Sequence, residues 1–351
     1  MEHAVNAPGE SILIIGPSWV GDMVMAQTLF RCLQEEFPSC RIDVMAPVWA
    51  LPLVARMDEV TNGLELPFNH GEFKWWQRRK LGKSLRENAY TRAIVLPNSF
   101  KSALIPFYAN IPVRTGWLGE KRWPLLTDVR KLDKQEYPLM VQRFAALAYT
   151  PGRSLTADLP RPRLSTDEAV VQSTLSDLGL QLERPVLAIC PGAEYGPSKQ
   201  WPAEYFATVC NEKLAAGWQV WVFGSANDSN TAAVITGAVD PTLAEQMHDL
   251  TGRTSLAQAI DLLSLSSVVI TNDSGLMHIA AALERPIVAL YGSTTSDFTP
   301  PLTERVKLLA TDIECRPCFE RECPLGHLRC LTEIRPEQAV EAIEILVAAN
   351  K

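Results

Sequence analysis

Three short stretches hold residues whose types and spacing could do chemistry, and each follows an apolar, β-branched run. The first is Gly16-Pro17-Ser18-Trp19-Val20-Gly21-Asp22, after the run at 11–15. In open α/β sheets ligands collect at the carboxyl ends of strands, so a carboxylate here could take a proton from a bound hydroxyl. Asp22 could equally be a helix N-cap worth about 1 kcal/mol, and the residues alone put the cap ahead. The stretch is not a GxGxxG fingerprint, so no dinucleotide is indicated. The second is Pro191 to Pro202, where Gly192 and Gly196 permit close backbone approach and Ser198 and Lys199 offer donors to a phosphate. Against that stands an ordinary surface loop with a solvated lysine.

The third stretch, Thr271 to Ala282, is the most telling. Asp273, Ser274 and Gly275 open a helix of small residues, whose free amides and dipole suit an anion. In the plainer alternative Asp273 or Ser274 only caps that helix and His278 is a core histidine. Two weaker positions end the same series. Asp228, after the run at 219–223, could bind ribose hydroxyls or cap the next helix. Thr254 could line a base pocket, or it and Ser255 could cap the helix at 256–263.

Metal is not expected at the reaction centre. The chain has no Asp-x-Asp pair, a common device for a nucleotide-bound divalent ion. A leaving diphosphate would be met by Lys199 and helix N-termini, which is electrostatic stabilisation of developing charge. No cofactor is expected either. Cys315-x2-Cys318-x4-Cys323-x6-Cys330 encloses His327. Four thiols are enough for structural zinc, but the spacing is not that of a standard finger, and a loop of reduced thiols or a redox-labile staple stands ahead of it. Cys32, Cys40, Cys190 and Cys210 lie in apolar surroundings and read as small core residues. Residues 73–86 carry six basic side chains and no acid, interleaved with Phe73, Trp75 and Trp76. Such a helix suits an anionic membrane interface, and equally a solvated helix with its tryptophans turned inward.

The elements that must position these residues alternate strand and helix, the pattern of parallel α/β units. Strands are expected at 11–15, 42–45, 93–96, 186–190, 219–223, 268–271 and 287–291, and helices at 23–36, 203–216, 256–263, 276–283 and 336–349. With 351 residues the chain fits two domains. These are placed at 1–165, including an irregular linker at about 151–165, and at 166–351, with a last helix that could pack back across the junction. The net charge of −7 is uneven: residues 1–157 hold 19 Lys and Arg against 15 Asp and Glu, a net of +4, and the remainder carries −11. A basic first half suggests an anionic partner there; no nucleic-acid signature accompanies it. No apolar run is long enough to cross a bilayer and the start lacks a signal peptide's pattern, so a cytoplasmic location is expected.

Taken together, GPSWVGDMVMAQTLF, VLPNSFKSAL, RTGW, LPLMVQRF, CPGAEYGPSKQWP, TNDSGLMHIAAAL and ALYGSTTSDFTPPL resemble the ADP-heptose:lipopolysaccharide heptosyltransferase family, in order, from about residue 12 to about residue 302. The Cys-rich segment is similar to a variant found in part of that family. The resemblance implies two facing Rossmann-like domains of the GT-B type, the first for the acceptor and the second for the ADP-sugar. It implies inverting transfer of L-glycero-D-manno-heptose from ADP-heptose onto the first heptose of a lipid A-linked inner-core oligosaccharide. Peripheral contact with the inner leaflet of the cytoplasmic membrane goes with that acceptor. It turns Asp22 from a cap into the general base and makes Lys199 a catalytic phosphate contact. Gly192, Ser198, Asp228, Thr254, Asp273, Ser274, Gly275 and His278 then belong to the donor site. Trp19, with Asn98, Ser99 and Lys101 of a loop in the first domain, belongs to the acceptor site. Two departures stand out: Glu194 and Tyr195 occupy positions where relatives often carry hydroxyl residues, and residues 1–10 have no assigned role.

The alternatives are a transferase for the first heptose or another sugar, an epimerase on the same fold, and a non-catalytic nucleotide-sugar-binding protein. An epimerase needs no lipid acceptor and leaves the basic first half unexplained. A binding protein has no need of a carboxylate at position 22.

Overall fold

Ile12, Leu13, Ile14 and Ile15 are all buried, which a continuous apolar strand achieves only when both faces of its sheet are covered. The computed structural model describes residues 9–69, 71–156 and 158–349, so residues 1–8 of the unassigned N-terminal stretch lie outside it. The chain divides into two units, Met1–Pro162 and Arg163–Lys351. Each is an α/β unit built on a parallel six-stranded sheet.

In the first unit the strands are β1 (Ser11–Ile15), β2 (Arg41–Ala46), β3 (Asn62–Glu65), β4 (Arg92–Val95), β5 (Val113–Trp117) and β6 (Asp128–Arg130), in spatial order β3-β2-β1-β4-β5-β6. The helices are α1 (Val20–Glu36), α2 (Leu51–Val54), α3 (Trp75–Ser84), α4 (Phe100–Tyr108) and α5 (Met140–Ala145). Leu13 pairs with Ala93 and Ile15 with Val95, and these four side chains join Ala103, Leu104 and Ile105 of α4 in one core. Helices α1 and α5 pack together, as do α3 and α4.

The second unit holds β7 (Val186–Cys190), β8 (Gln219–Val222), β9 (Met247–Asp249), β10 (Val268–Asn272), β11 (Ile287–Tyr291) and β12 (Val306–Ala310), in order β12-β11-β10-β7-β8-β9. Its helices are α6 (Glu168–Leu178), α7 (Ala203–Ala215), α8 (Ser229–Gly237), α9 (Leu256–Leu263), α10 (Gly275–Ala282), α11 (Arg329–Thr332) and α12 (Pro336–Ala348). Ala339, Ile343 and Leu346 of α12 pack into this unit's own core with Trp201, Phe206 and Val209.

Both sheets reverse their strand order once. In the first unit the chain leaves β1 toward β2 and β3, then returns to β4 on the other side. In the second it leaves β7 toward β8 and β9, then returns to β10. At such a switch point the loops after two neighbouring strands diverge and open a crevice at their carboxyl ends. The β1–β4 and β7–β10 crevices are therefore where a ligand has room.

The expected strands are all present within a residue or two. The five unforeseen ones, β3, β5, β6, β9 and β12, are short, carry charge or glycine, or lie toward the sheet edges, where burial on both faces is not required.

Candidate functional site

The β1–β4 crevice is built on a close turn. The Gly16 amide donates to the Met45 carbonyl at 2.9 Å, and a Cβ on Gly16 would stand 2.7 Å from the Met23 methyl. Helix α1 then starts at Val20 with Trp19 as its N-cap residue and no side chain capping it. Asp22 is thus the third helical residue, half-buried in the first turn, and not the cap that its residue type alone favours. A carboxylate there is favoured by the positive end of the helix dipole. Trp19 is half exposed beside it.

After β4, Asn98 is fixed by an arginine that the sequence reading missed. Arg122 is wholly buried; its guanidinium donates to the Asn98 side-chain oxygen at 3.0 Å, to the Trp117 carbonyl at 2.6 Å, and to the Pro97 carbonyl. Burial pushes its pKa down to about 10, which leaves it charged at neutral pH. Ser99 is the N-cap residue of α4 without bonding to its amides; its hydroxyl meets that of Ser102 at 2.6 Å. The Glu120 carboxylate supplies the cap instead, accepting from the Phe100 amide at 2.9 Å. Lys101 stands in the first turn of α4, where a loop is expected from the sequence, because Glu120 closes the helix start one residue earlier.

The β7–β10 crevice is tied across by one buried side chain. The Asn272 amide donates to the Pro191 carbonyl at 2.6 Å and accepts from the Trp201 backbone amide at 3.1 Å, which holds both ends of the loop after β7. Within that loop Lys199 reaches Asp273, with Nζ to Oδ2 at 2.6 Å, and the Thr294 hydroxyl donates to the same oxygen at 2.6 Å. Asp273 is only 4 % exposed, and the lysine beside it offsets the cost of burying the carboxylate. Lys199 also lies 4.8 Å from the centre of the Tyr195 ring, a cation–π contact. Immediately after Asp273, Ser274 is the N-cap residue of α10 but makes no cap bond with its side chain. The first amides of α10, beginning at Gly275, keep their donor capacity for a ligand. His278 faces inward on the second turn, buried, and burial pushes its pKa down to about 4; Asp273 opposes the shift and Lys199 adds to it.

Other predicted donor residues have plainer surroundings. Asp228 accepts from the Ser225 amide at 2.8 Å and the Ser225 hydroxyl at 2.9 Å, and it precedes α8. Gly192 makes room for that carboxylate: a Cβ there would collide with it, so the need for glycine is met inside the protein. Ser255, not Thr254, caps α9, accepting from the Gln258 amide. Ser198 is buried, with its hydroxyl 2.9 Å from that of Ser293 and donating to the Glu320 carbonyl, so it braces the loop internally.

The Cys-rich segment lies against this loop. The Ser198 amide donates to the Arg321 carbonyl at 3.2 Å, and Gly196, at φ 150°, has no space for a Cβ against the same carbonyl. Cys32, Cys190 and Cys210 are buried as expected, whereas Cys40 is partly exposed. Among the described residues no three His, Cys, Asp or Glu side chains stand so as to hold a metal ion.

On α3 the two tryptophans part. Trp75 packs inward against Phe100 and Tyr108, while Trp76 is 74 % exposed with Arg79 near its ring. Gly82 allows the close α3–α4 contact, since a Cβ would stand 2.6 Å from the Ile105 carbonyl.

Asn272, Thr294 and Arg122 were not singled out beforehand. Asn272 and Thr294 sit inside the quoted motifs and had a signal; Arg122 lies in an irregular segment and had none.

Residues 78–329 match the family described as glycosyltransferase family 9 (heptosyltransferase). The chain is 46% identical over 341 residues to lipopolysaccharide heptosyltransferase 2 of Escherichia coli strain K12, covering 96% of this chain and 98% of that protein. It is 45% identical to lipooligosaccharide heptosyltransferase 2 of Haemophilus influenzae, covering 96% and 99%. Among solved structures, that of the Escherichia coli ADP-heptose lipopolysaccharide heptosyltransferase II matches with a TM-score of 0.88 and 44% identity, covering 97% of this chain and 99% of that one.

Proposed function

The chain belongs to glycosyltransferase family 9, the heptosyltransferases, and from that premise we propose that it moves L-glycero-D-manno-heptose from ADP-heptose onto the first heptose of the lipopolysaccharide inner core. The observation that carries this reading is the likeness, over nearly the whole of both chains, to relatives named for the second heptose transfer. The second unit binds the donor and the first binds the acceptor. No dissociable cofactor takes part.

The reaction is a single displacement. The acceptor hydroxyl gives its proton to Asp22 as its oxygen bonds to the anomeric carbon, and the bond from that carbon to the diphosphate breaks. Negative charge then gathers on ADP, where Lys199 and the first amides of α10 receive it. Asp273 and Thr294 hold Lys199 in place, since a lysine with four rotatable bonds is otherwise poorly positioned. Asn98, Ser99, Lys101 and Trp19 contact the anionic inner-core acceptor, and His278, buried and neutral, fills the wall behind the donor. The exposed face of α3 rests on the anionic inner leaflet that carries the acceptor.

The test is ADP release by the purified protein given ADP-heptose and either Kdo2-lipid A or its monoheptosylated form. Release with the monoheptosylated acceptor alone is expected. Release with the unheptosylated form would reassign the chain to the first transfer, and no release with either would remove the transferase reading. Asp22→Asn should lower kcat by roughly 10²–10⁴-fold with ADP binding retained. Turnover at the parent rate would take Asp22 out of the mechanism.

A further inference from the structure

The proposed transfer makes no use of the four cysteines between 315 and 330, yet the fold brings them together. Cys315, Cys318, Cys323 and Cys330 all line one cavity of about 20 Å³, a space for a single ion or water. None of the four is in a disulfide. The backbone amides of residues 325–328 are directed at the Cys323 sulfur. Cys330 is buried on α11. Four sulfurs around one small cavity are the donor set that a single thiophilic cation takes.

Arg316 and His327 also line the cavity, and each is hydrogen-bonded to the backbone. The Arg316 guanidinium donates to the carbonyls of Gly292, Thr294 and Thr311 at 2.8–3.0 Å. Arg321 donates to the Tyr195 carbonyl at 2.6 Å. His327 accepts the Arg329 amide on Nδ1 at 3.0 Å. As they stand, the sulfurs surround the cavity without closing to ligand distance. A cysteine side chain changes direction by rotation about a single χ1 bond.

We infer that Cys315, Cys318, Cys323 and Cys330 form a structural tetrathiolate site for one thiophilic divalent ion of the Zn²⁺ class. Binding replaces the thiol protons with the metal, releasing up to four protons and moving no electrons. The same cavity is lined by Ser198 and Ser293. The site's effect is mechanical: the segment it would close supplies the carbonyls of Glu320 and Arg321 that hold Ser198, next to Lys199. That mechanical effect rests on the proposed donor site; the presence of the ion does not.

The test uses the full chain, expressed with added Zn²⁺ and purified in reducing buffer without chelator. Elemental analysis should find about one zinc per chain, the stoichiometry of a closed four-cysteine site. Replacement by Co²⁺ should give the intense near-ultraviolet thiolate-to-metal band and the visible bands of tetrahedral cobalt. Cys318→Ser together with Cys323→Ser should abolish both signals, while Cys40→Ser keeps them. A metal content near zero after reconstitution, a cobalt spectrum of the octahedral aqua ion, or disulfides among the four in reducing buffer would overturn the site. If the double variant fails to fold, zinc content and the cobalt spectrum of the parent protein decide the matter alone. ADP release plays no part in these readouts, so a wrong donor assignment would not mimic a missing metal.

Discussion

His278 shows what burial does to a single residue beside a charged pair. The ring is 5 % exposed, and loss of hydration outweighs the attraction of Asp273, leaving a pKa of about 4 against an ordinary 6.5. The folded chain therefore keeps the ring neutral where the unfolded chain protonates it. Its stabilising contribution is complete above pH 6.5 and is lost as the pH falls through the window down to about 4, at up to roughly 1.4 kcal/mol per pH unit. Urea unfolding of the parent and of His278→Gln at several pH values from 7 to 4.5 should show the parent losing stability more steeply. Parallel pH profiles would show that His278 does not set that slope.

At the level of elements, Asn272 does more than any residue of the loop it anchors. It ends β10 and binds both ends of the loop after β7, so the Lys199 side chain is delivered by a frame with fixed ends. Asn272→Ala would leave the Trp201 amide and the Pro191 carbonyl without this partner in a dry interior, at about 1–3 kcal/mol for each group left unsatisfied. A lower Tm is expected, with KM for the donor rising more than kcat falls; an unchanged Tm would show that water replaces the amide. The strands of this frame are legible in the sequence because β7 and β11 are unbroken apolar runs and β10 begins with one, and the two loops are legible as separate motifs. The pairing of Lys199 with Asp273, 74 residues apart, is a product of the strand order and has no local signal. The same limit explains Asp22. Its residue type favours a cap, but α1 begins at Val20 behind Trp19, a residue with no capping side chain. Arg122 was hidden for a related reason: a buried arginine looks like any other in sequence until the carbonyls that it serves are in place.

For the whole molecule, net positive charge and the exposed tryptophans among the described residues fall on the same unit. The first 157 residues carry +4 on a chain of −7, and helix α3 carries Arg79, Lys80, Lys83 and an outward Trp76, with Lys74 as its N-cap residue. Phe73, also about half exposed, precedes this helix. No helix among the described residues is long and apolar enough to cross a membrane. Basic residues near an anionic surface contribute about 1 kcal/mol each, and an interfacial tryptophan adds apolar contact that salt does not screen. Sedimentation with phosphatidylglycerol-containing vesicles should therefore pull down the parent protein at low salt, with less bound in concentrated salt and little bound by phosphatidylcholine alone. Trp76→Ala should weaken binding at every salt concentration, while Lys80→Glu with Lys83→Glu should remove its salt dependence. Neither change touches the proposed reaction residues, so turnover on a detergent-dispersed acceptor should stay at the parent rate. Equal binding to charged and neutral vesicles, or binding indifferent to both sets of substitutions, would show that α3 is a solvated surface and that the acceptor comes to the enzyme by another face.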